Sequence, residues 1–457
     1  MGGRTRCGCR SHRGTIGGSQ QMTQHAVTVI GGGVAGCAAA LTAARLGASV
    51  TLLEQRGEHP SPLHQTDLLC ELVGRPDLGA TDCTRAQGLM KVELRVLVPD
   101  LFACADAVAT GREMLTIDRL ALARAVTERI VADPAVALVR EEARELPPGV
   151  VVVAGGPITW SPLARRLHEA AGVSFRFAYA GRGPMVAAAG IDRSALFEAE
   201  PYPGADPAWY VRLSEDEAEE LRTRLLCGRR AGPPGLGPET VLAEESEPAE
   251  RIAEDPRQFM TRLLAGPRSP GTEADRPALR LTPDDGEASR FHLADLITAL
   301  TPDAQRNALA AVGALIEAKI VRPGVVHRLP WLPGPEAMLP TLQLRRTPRL
   351  LLAGTLTGVI GTVEALATGA VAGLNAARLA RGEEPVTAPV ETLTGALCQA
   401  LIAPPFNDGR LLQASFGLLP NRPEDQGRPK SERRAEQIER ALAAAEVFAT
   451  ETCARRT

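Results

Sequence analysis

The stretch Val27–Glu54, VTVIGGGVAGCAAALTAARLGASVTLLE, constrains the fold more than any other part of the chain. Its apolar run Val27–Ile30 reads as a buried parallel strand, and Gly31-Gly32-Gly33-Val34-Ala35-Gly36 follows at once as G-x-G-x-x-G. Cys37–Leu46 has helical composition, Gly47 closes it, and Ser49–Leu53 is a second strand ending in the acid Glu54. This is a βαβ unit of the Rossmann-like α/β class. Gly31 makes the tight turn, Gly33 lets backbone amides approach a pyrophosphate, and Gly36 lets the helix pack close to the strand. The positive end of the helix dipole favours the phosphates, and Glu54 can accept hydrogen bonds from both ribose hydroxyls. A glycine-rich turn with an incidental glutamate is the plain alternative. The strand before, the helix after and the spacing of the acid favour a dinucleotide.

The remaining chain can be read around that unit. Thr66–Val73 has helical composition, Gly88–Leu97 repeats Leu89, Val92 and Val96 at helical spacing, and Thr116–Ile130 reads as an amphipathic helix capped by Asp118. Val136–Val139 and Val150–Ala154 read as strands, the second leading into Gly155-Gly156-Pro157, where backbone could pass close to a cofactor. From about Ala187 to Arg322 prolines, glycines and acidic residues multiply and the βα alternation is lost. Gly235-x-Gly237 within it is no phosphate loop, because prolines surround it and no strand precedes it. The βα style returns with Arg349–Gly354, a strand entering a glycine loop, and with Val363–Arg381, a long helix bearing small residues on one face. We therefore expect one doubly wound domain, residues 23–186 and 323–420, interrupted by an insertion domain at 187–322. Residues 1–22 form a disordered leader, with Met22 a plausible true start. Residues 421–457 are a linker and a final amphipathic helix, Ser431–Thr450, whose arginines read as a solvated face.

Composition narrows the function classes. With 457 residues and 44% hydrophobic residues, the chain can bury cores for two or three domains. A net charge of −3 gives no global attraction to nucleic acid or membrane, so an RNA partner must be met by local basic patches. Nine scattered cysteines suit a reducing cytoplasm better than a disulfide scaffold. Cys7-x-Cys9 lacks metal-ligand spacing, and no metal site is expected. The longest candidate for a membrane span, Leu350–Ala377, lacks Lys and Arg but is broken by glycines and Glu364, so no membrane span is expected.

Taken together, these motifs resemble a known family. Thr66-Asp67, Glu71-Leu72-Val73, Gly88-Leu89 and Gly156-Pro157-Ile158-Thr159 follow the fingerprint. The second half adds Gly324-Val325-Val326-His327-Arg328, Pro340-Thr341-Leu342-Gln343-Leu344-Arg345, Gly354…Thr357-Gly358-Val359…Gly361…Val363-Glu364 and Phe416-Gly417-Leu418-Leu419-Pro420. The order is similar to that of the folate-dependent, FADH2-oxidising tRNA (uracil-5-)-methyltransferases, the TrmFO family, related to the GidA flavoproteins. The resemblance spans about residues 27 to 420. It implies a bound FAD in a Rossmann-like domain interrupted by an insertion domain, NAD(P)H as reductant, and 5,10-methylenetetrahydrofolate as one-carbon donor. The substrate it implies is a uridine C5 of tRNA or ribosomal RNA. It adds Gly156, Gly354, Thr357, Gly358 and Gly361 to the cofactor-binding set, puts His327 beside flavin and folate, and makes Arg328 and Arg345 substrate-binding residues.

The sequence departs from the family where the chemistry should be. Uracil C5 becomes nucleophilic only after addition at C6, which calls for a thiolate and a base to remove the C5 proton. The family's two cysteines fall on Gly74 and Ser246, its Ser-Asn-Ser on Arg75-Pro76-Asp77, and its Asn after His-Arg on Leu329. An acid and a tyrosine of the flavin loop become Ile360 and Thr362, and the threonine of an A-T-G turn becomes Gly155. Two readings stand. Either methyl transfer persists with a relocated thiol, or the chain is a flavoprotein with another redox reaction or none. Cys70 is four residues before Gly74 and shares its face if the stretch is helical; otherwise it is a small buried hydrophobe. Cys227 is a weaker candidate. His327 has a structural alternative, Arg345 reads alternatively as a surface ion pair, and Lys91 and Glu93 read as helix-face charges.

Overall fold

The structure, a computed structural model, describes residues 25–59, 63–158, 161–201, 206–232, 242, 247–267, 277–403, 410–425 and 427–453. The leader, the Gly235-x-Gly237 stretch and Ser246 lie outside them.

The glycine turn joins β1 (Ala26–Ile30) to α1 (Val34–Arg45), and β2 (Ser49–Leu53) returns parallel to β1 with Ile30 opposite Leu53. Then come β3 (Asp77–Ala80), α2 (Ala86–Leu97), α3 (Pro99–Ala107), β4 (Met114–Thr116) and α4 (Arg119–Val131). Parallel pairing resumes with β5 (Val136–Val139) on β2 and β6 (Val150–Val153) on β1. The helix α5 (Ser161–Ala171) leads to β7 (Arg176–Arg182), β8 (Met185–Ala187), β9 (Leu196–Ala199), β10 (Ala208–Arg212) and α6 (Glu215–Cys227). After the short helices α7 (Ala249–Ile252) and α8 (Pro256–Gln258) come β11 (Ala278–Pro283), β12 (Arg290–His292), α9 (Pro302–Leu309) and β13 (Ile320–Arg322). The chain ends with β14 (Val325–Trp331), α10 (Gly334–Ala337), β15 (Leu350–Leu352), α11 (Thr362–Ala380), α12 (Leu393–Ala400) and α13 (Lys430–Cys453).

Two main sheets result. The first is parallel, in the order β15-β6-β1-β2-β5, so strand order reverses beside β1 and a crevice forms at the carboxyl ends of β1 and β6. The second is antiparallel, in the order β13-β8-β12-β11-β10-β9, with its own buried core around Leu221, Leu279, Leu281 and Phe291. A β14–β7 ribbon connects them in sequence. Against the parallel sheet, α1 and α11 meet almost backbone to backbone: a Cβ on Gly369 would overlap the carbonyl oxygen of Ala35, and one on Gly373 that of Ala39. That contact explains why both helices carry Ala and Gly where they meet. Small residues permit an approach that larger side chains would forbid.

The expected helices at Gly88–Leu97, Thr116–Ile130, Val363–Arg381 and Ser431–Thr450 are present with shifted ends, and Asp118 caps α4 by accepting from the Ala121 amide at 2.8 Å. The expected helix Thr66–Val73 is not. Buried Glu71 accepts from the Gln65 amide at 2.8 Å, the Thr66 amide at 3.0 Å and the Thr66 hydroxyl at 2.6 Å, and Cys70 sits at φ 56°, outside any right-handed helix. Side-chain acceptors here replace the helical hydrogen bonds. Lys91 and Glu93 are not surface charges either. Both are buried; Lys91 donates to the carbonyls of Leu78 and Gly79 at 2.9 and 2.6 Å, and burial lowers it to about 8. Glu93 accepts from the Leu393 and Thr394 amides at 2.7 and 2.9 Å and so fixes the start of α12.

Gly373→Val should destabilise the fold by about 1–3 kcal/mol through overpacking against α1, measured by urea denaturation; a loss inside experimental error would contradict the packing described. Burial raises Glu93 from 4.5 to about 7, with its hydrogen bonds opposing. A carboxyl bound more tightly by protons when folded contributes most at low pH, and that contribution is lost as pH rises from about 4.5 to about 7. Wild-type stability, measured against Glu93→Gln, should therefore decline across that window; a difference that is flat or rises with pH would contradict the assignment.

Candidate active site at the glycine turn

The turn after β1 is built by close approach. A Cβ on Gly31 would strike the carbonyl of Ala154 at the end of β6, Gly31 itself has φ 102°, and a Cβ on Gly36 would overlap the Gly31 carbonyl oxygen. Only glycine fits. Gly33, the N-cap of α1, has no side-chain cap, and the space a Cβ there would enter is open. The free amides of the first turn therefore face a cavity of about 370 Å³ lined by Gly31, Gly33, Val34, Ala35, Glu54 and Gly156, among others. The N-terminus of α11 reaches the same cavity through Gly361 and Thr362.

Glu54 is buried at the cavity wall. It accepts from the Gly32 amide at 2.6 Å and from the Arg56 guanidinium at 3.0 and 3.1 Å. Burial alone would raise its pKa; the Arg56 pair and the amides of Arg56 and Gly32 outweigh it and hold the carboxyl below its ordinary range. The acid thus stiffens the glycine turn from beneath. Two buried polar atoms of lining residues, Thr355 Oγ1 and Arg56 Nη1, have no hydrogen-bond partner. Helix amides, a carboxylate and these orphaned donors suit a dinucleotide with a pyrophosphate and hydroxyl groups, and the residues present fit FAD.

The other expected site residues scatter. His327 lines the cavity, its Nδ1 is 3.1 Å from the Arg328 carbonyl oxygen, and burial lowers its pKa. Because that oxygen can only accept, Nδ1 carries the proton and Nε2 of the neutral ring is a base. Gly32 lies under the turn. Gly354 lines the cavity, whereas Thr357 is buried and donates to the Gly354 carbonyl at 2.8 Å, and Gly358 packs near Trp331. Arg328 is exposed, with its guanidinium 5.7 Å from the Phe177 ring, and Arg345 is exposed and does not line the cavity. Cys70 is in the core: its amide donates to the Gly32 carbonyl at 2.9 Å, and its thiol adjoins Cys37, which burial pushes well up. Since the stretch is not helical, Cys70 does not share a helical face with Gly74. Cys227 is exposed on α6 of the second-sheet region. Among the described residues no cysteine lines the cavity, and no group of His, Cys, Asp and Glu could hold a metal ion.

Several buried charges had no signal in the sequence. Arg119, fully buried at the start of α4, pairs with Asp284 of the second-sheet region at 2.7 Å and donates to the carbonyls of Leu72 and, at 2.8 Å, Gly74. It ties the loop that forms one cavity wall to the neighbouring sheet. Asp118 beside it marks the helix start, but nothing in the pattern marks Arg119 as buried.

The parallel sheet and the cavity at its switch point define a Rossmann-like FAD-binding α/β protein. The family model for glucose inhibited division protein A matches residues 26–384. A methylenetetrahydrofolate–tRNA-(uracil-5-)-methyltransferase TrmFO of Geobacter sulfurreducens is 36% identical over 429 residues, covering 92% of this chain and 97% of that relative. Proteins of the same name from Synechococcus sp. and Rubrobacter xylanophilus are also 36% identical, each covering 93% of this chain. The solved structure of Aquifex aeolicus GidA has a TM-score of 0.66 at 18% identity, covering 93% of this chain and 73% of that chain, a likeness of fold. The chain belongs to the TrmFO family within the GidA proteins.

Replacing Arg119 by Met should cost about 3–5 kcal/mol, because it strands Asp284 in the interior. Adding Asp284→Leu should recover part of that loss. A double-mutant cycle by denaturant unfolding measures this, and strictly additive losses would contradict the pairing.

Proposed function

We propose that this chain binds FAD along the glycine-turn cavity and methylates C5 of a tRNA uridine, with 5,10-methylenetetrahydrofolate as carbon donor. The relatives that carry this activity in their names, matched over more than nine-tenths of the chain, support the reaction class. The observation that carries the cofactor is the meeting of the α1 start, which has no side-chain cap, Glu54 and the orphaned Thr355 hydroxyl on one cavity.

In this reading Gly31, Gly32, Gly33, Val34, Ala35 and Gly36 present the α1 amides to the pyrophosphate, and Glu54 with Arg56 meets the ribose. Gly156, Thr355 and Gly361 border the flavin half, while Gly354, Thr357 and Gly358 shape its loop. Bound there in reduced form, FAD would supply the hydride that turns a folate-derived methylene into methyl, with NAD(P)H as its reductant. The Nε2 of His327 accepts a proton at the cavity wall, its orientation fixed by the Arg328 carbonyl. Residues 23–186 and 323–420 make up the FAD domain and 187–322 the insertion domain, a division supported by the separate core of the antiparallel sheet. The RNA is held by local basic patches, and a cytoplasmic setting suits both RNA and unpaired thiols. Among the described residues no helix is long and apolar enough to cross a membrane.

One observation favours a second reading. Gly74 stands at the cavity where the family has a thiol, and no described cysteine lines that cavity. In that reading the chain keeps its flavin and runs a redox reaction without attack at C6.

The test is to purify the protein, record flavin absorbance, and measure 5-methyluridine in undermodified tRNA given NADPH and methylenetetrahydrofolate. The proposal expects a yellow protein that methylates, and Gly31→Ala should lose flavin and at least about tenfold of the activity, since a Cβ there collides with Ala154. A yellow wild type that leaves tRNA unmethylated supports the second reading; a colourless one that takes up no added FAD overturns both.

A further inference from the structure

Arg322, at the end of β13, is 3% exposed, and none of its three guanidinium nitrogens has a hydrogen-bond partner. Buried guanidinium groups are nearly always paired, because leaving their donors unsatisfied forfeits solvation without return. No nearby carboxylate makes a hydrogen bond to it. Asp284 gives Oδ1 to Arg119 and its Oδ2 has no hydrogen-bond partner, Glu71 accepts from Gln65 and Thr66, and both carboxylates act on Arg322 only through space. Arg119 and Arg182 add two more positive charges, so three guanidinium groups share two carboxylates. Burial first, and then those two arginines, disfavour the charged form of Arg322.

The side chain lines a cavity of about 770 Å³, distinct from the one at the glycine turn, with Arg182, His64, Thr66 and Gly324 on its walls. Arg182 and His64 also line the glycine-turn cavity, so the two spaces adjoin through those side chains. Arg290, a third arginine on the wall, is paired with Asp285 at 3.3 Å. A concave space backed by a buried, unpartnered, planar five-donor fork is the complement of a carboxylate or phosphate group.

We propose that this cavity is an oxyanion subsite anchored by Arg322, taking the carboxylate or phosphate end of a ligand whose other end reaches the glycine-turn cavity past His64 and Arg182. The subsite stands on the geometry of Arg322 and does not depend on methyl transfer. Two sources share the chemistry: the glutamate carboxylates of a folate, and a phosphate, free or carried by a nucleotide.

The experiment uses the full chain as purified, with calorimetric titration and thermal unfolding. The probes are inorganic phosphate, pteroate, and pteroylglutamate, which differs from pteroate by its glutamate. Wild type should bind phosphate saturably, and Arg322→Met should weaken that binding at least about tenfold. Arg322→Lys, which keeps the charge and loses the fork, should retain part of it and carries the test if the Met variant does not fold. Without anion, Arg322→Met should melt no lower than wild type, because it removes an unpaired buried charge. A preference for pteroylglutamate over pteroate that vanishes in the variants assigns the site to a folate carboxylate; phosphate binding without that preference assigns it to phosphate. No saturable binding of either anion, or binding that Arg322 variants leave unchanged, as expected for phosphate held at the glycine turn, overturns the proposal. Flavin content and methylation are read separately, so failure here is distinguishable from failure of the flavin or methyl-transfer readings.

Discussion

The architecture hangs on one close approach, the first turn of α1 against the Gly31 carbonyl, possible only because Gly36 has no side chain. That contact sets where α1 begins and leaves its first amides without intrahelical partners. It also brings the α1 backbone near enough for α11 to pack on it through Gly369 and Gly373. With α11 so placed, its own start at Gly361 faces the same cavity. The positive end of α1 then opens on a crevice at the switch point of the parallel sheet, a setting suited to a phosphate-bearing cofactor, while buried Glu364 in the first turn of α11 offsets the dipole of that second helix start.

The walls of that crevice are held by buried charges rather than by apolar packing alone. Glu54 and Arg56 brace the glycine turn, Glu71 folds the loop 63–74, and Arg119 joins that loop to Asp284 beneath the antiparallel sheet. Glu54 accepts from the glycine turn and from Arg56 two residues on, Glu71 from Gln65 and Thr66 of its own loop, and Asp284 from the distant Arg119. Pairs of this kind contribute little net stability over apolar replacements, and their value here is positional: they fix loops that have no regular structure of their own. Arg322 departs from the pattern, since its charge has no such partner.

How much of this the sequence disclosed follows from the range of the interactions. The βαβ unit was legible because its strand, turn, helix and acid are consecutive, and the Asp118 cap because a cap is a local hydrogen bond. The loop at Thr66–Val73 was misread as a helix because its composition is helical while its hydrogen bonds run to Glu71, Gly32 and Thr127. Glu93 read as a helix-face charge because its partners at the start of α12 lie far along the chain, and Lys91 because its acceptors, the Leu78 and Gly79 carbonyls, belong to a short strand that the sequence pattern does not mark. Arg119 and Arg322 were invisible for the same reason: an arginine's burial depends on which distant sheet lies over it. The family resemblance supplied His327, which does reach the cavity, and Arg345, which does not. The replacement of the family thiol by Gly74 was legible at once, and the structure offers no described cysteine at the cavity in its stead.

The central claim is that a flavin at the glycine turn delivers a folate-derived carbon to uracil C5. Its most direct test is to supply methylenetetrahydrofolate labelled with carbon-13 in the methylene group and to examine the tRNA nucleosides by mass spectrometry. The account predicts 5-methyluridine carrying the label, formed only when the flavin is reduced. Unlabelled 5-methyluridine, or none from a flavin-loaded protein with reductant and folate present, would contradict it.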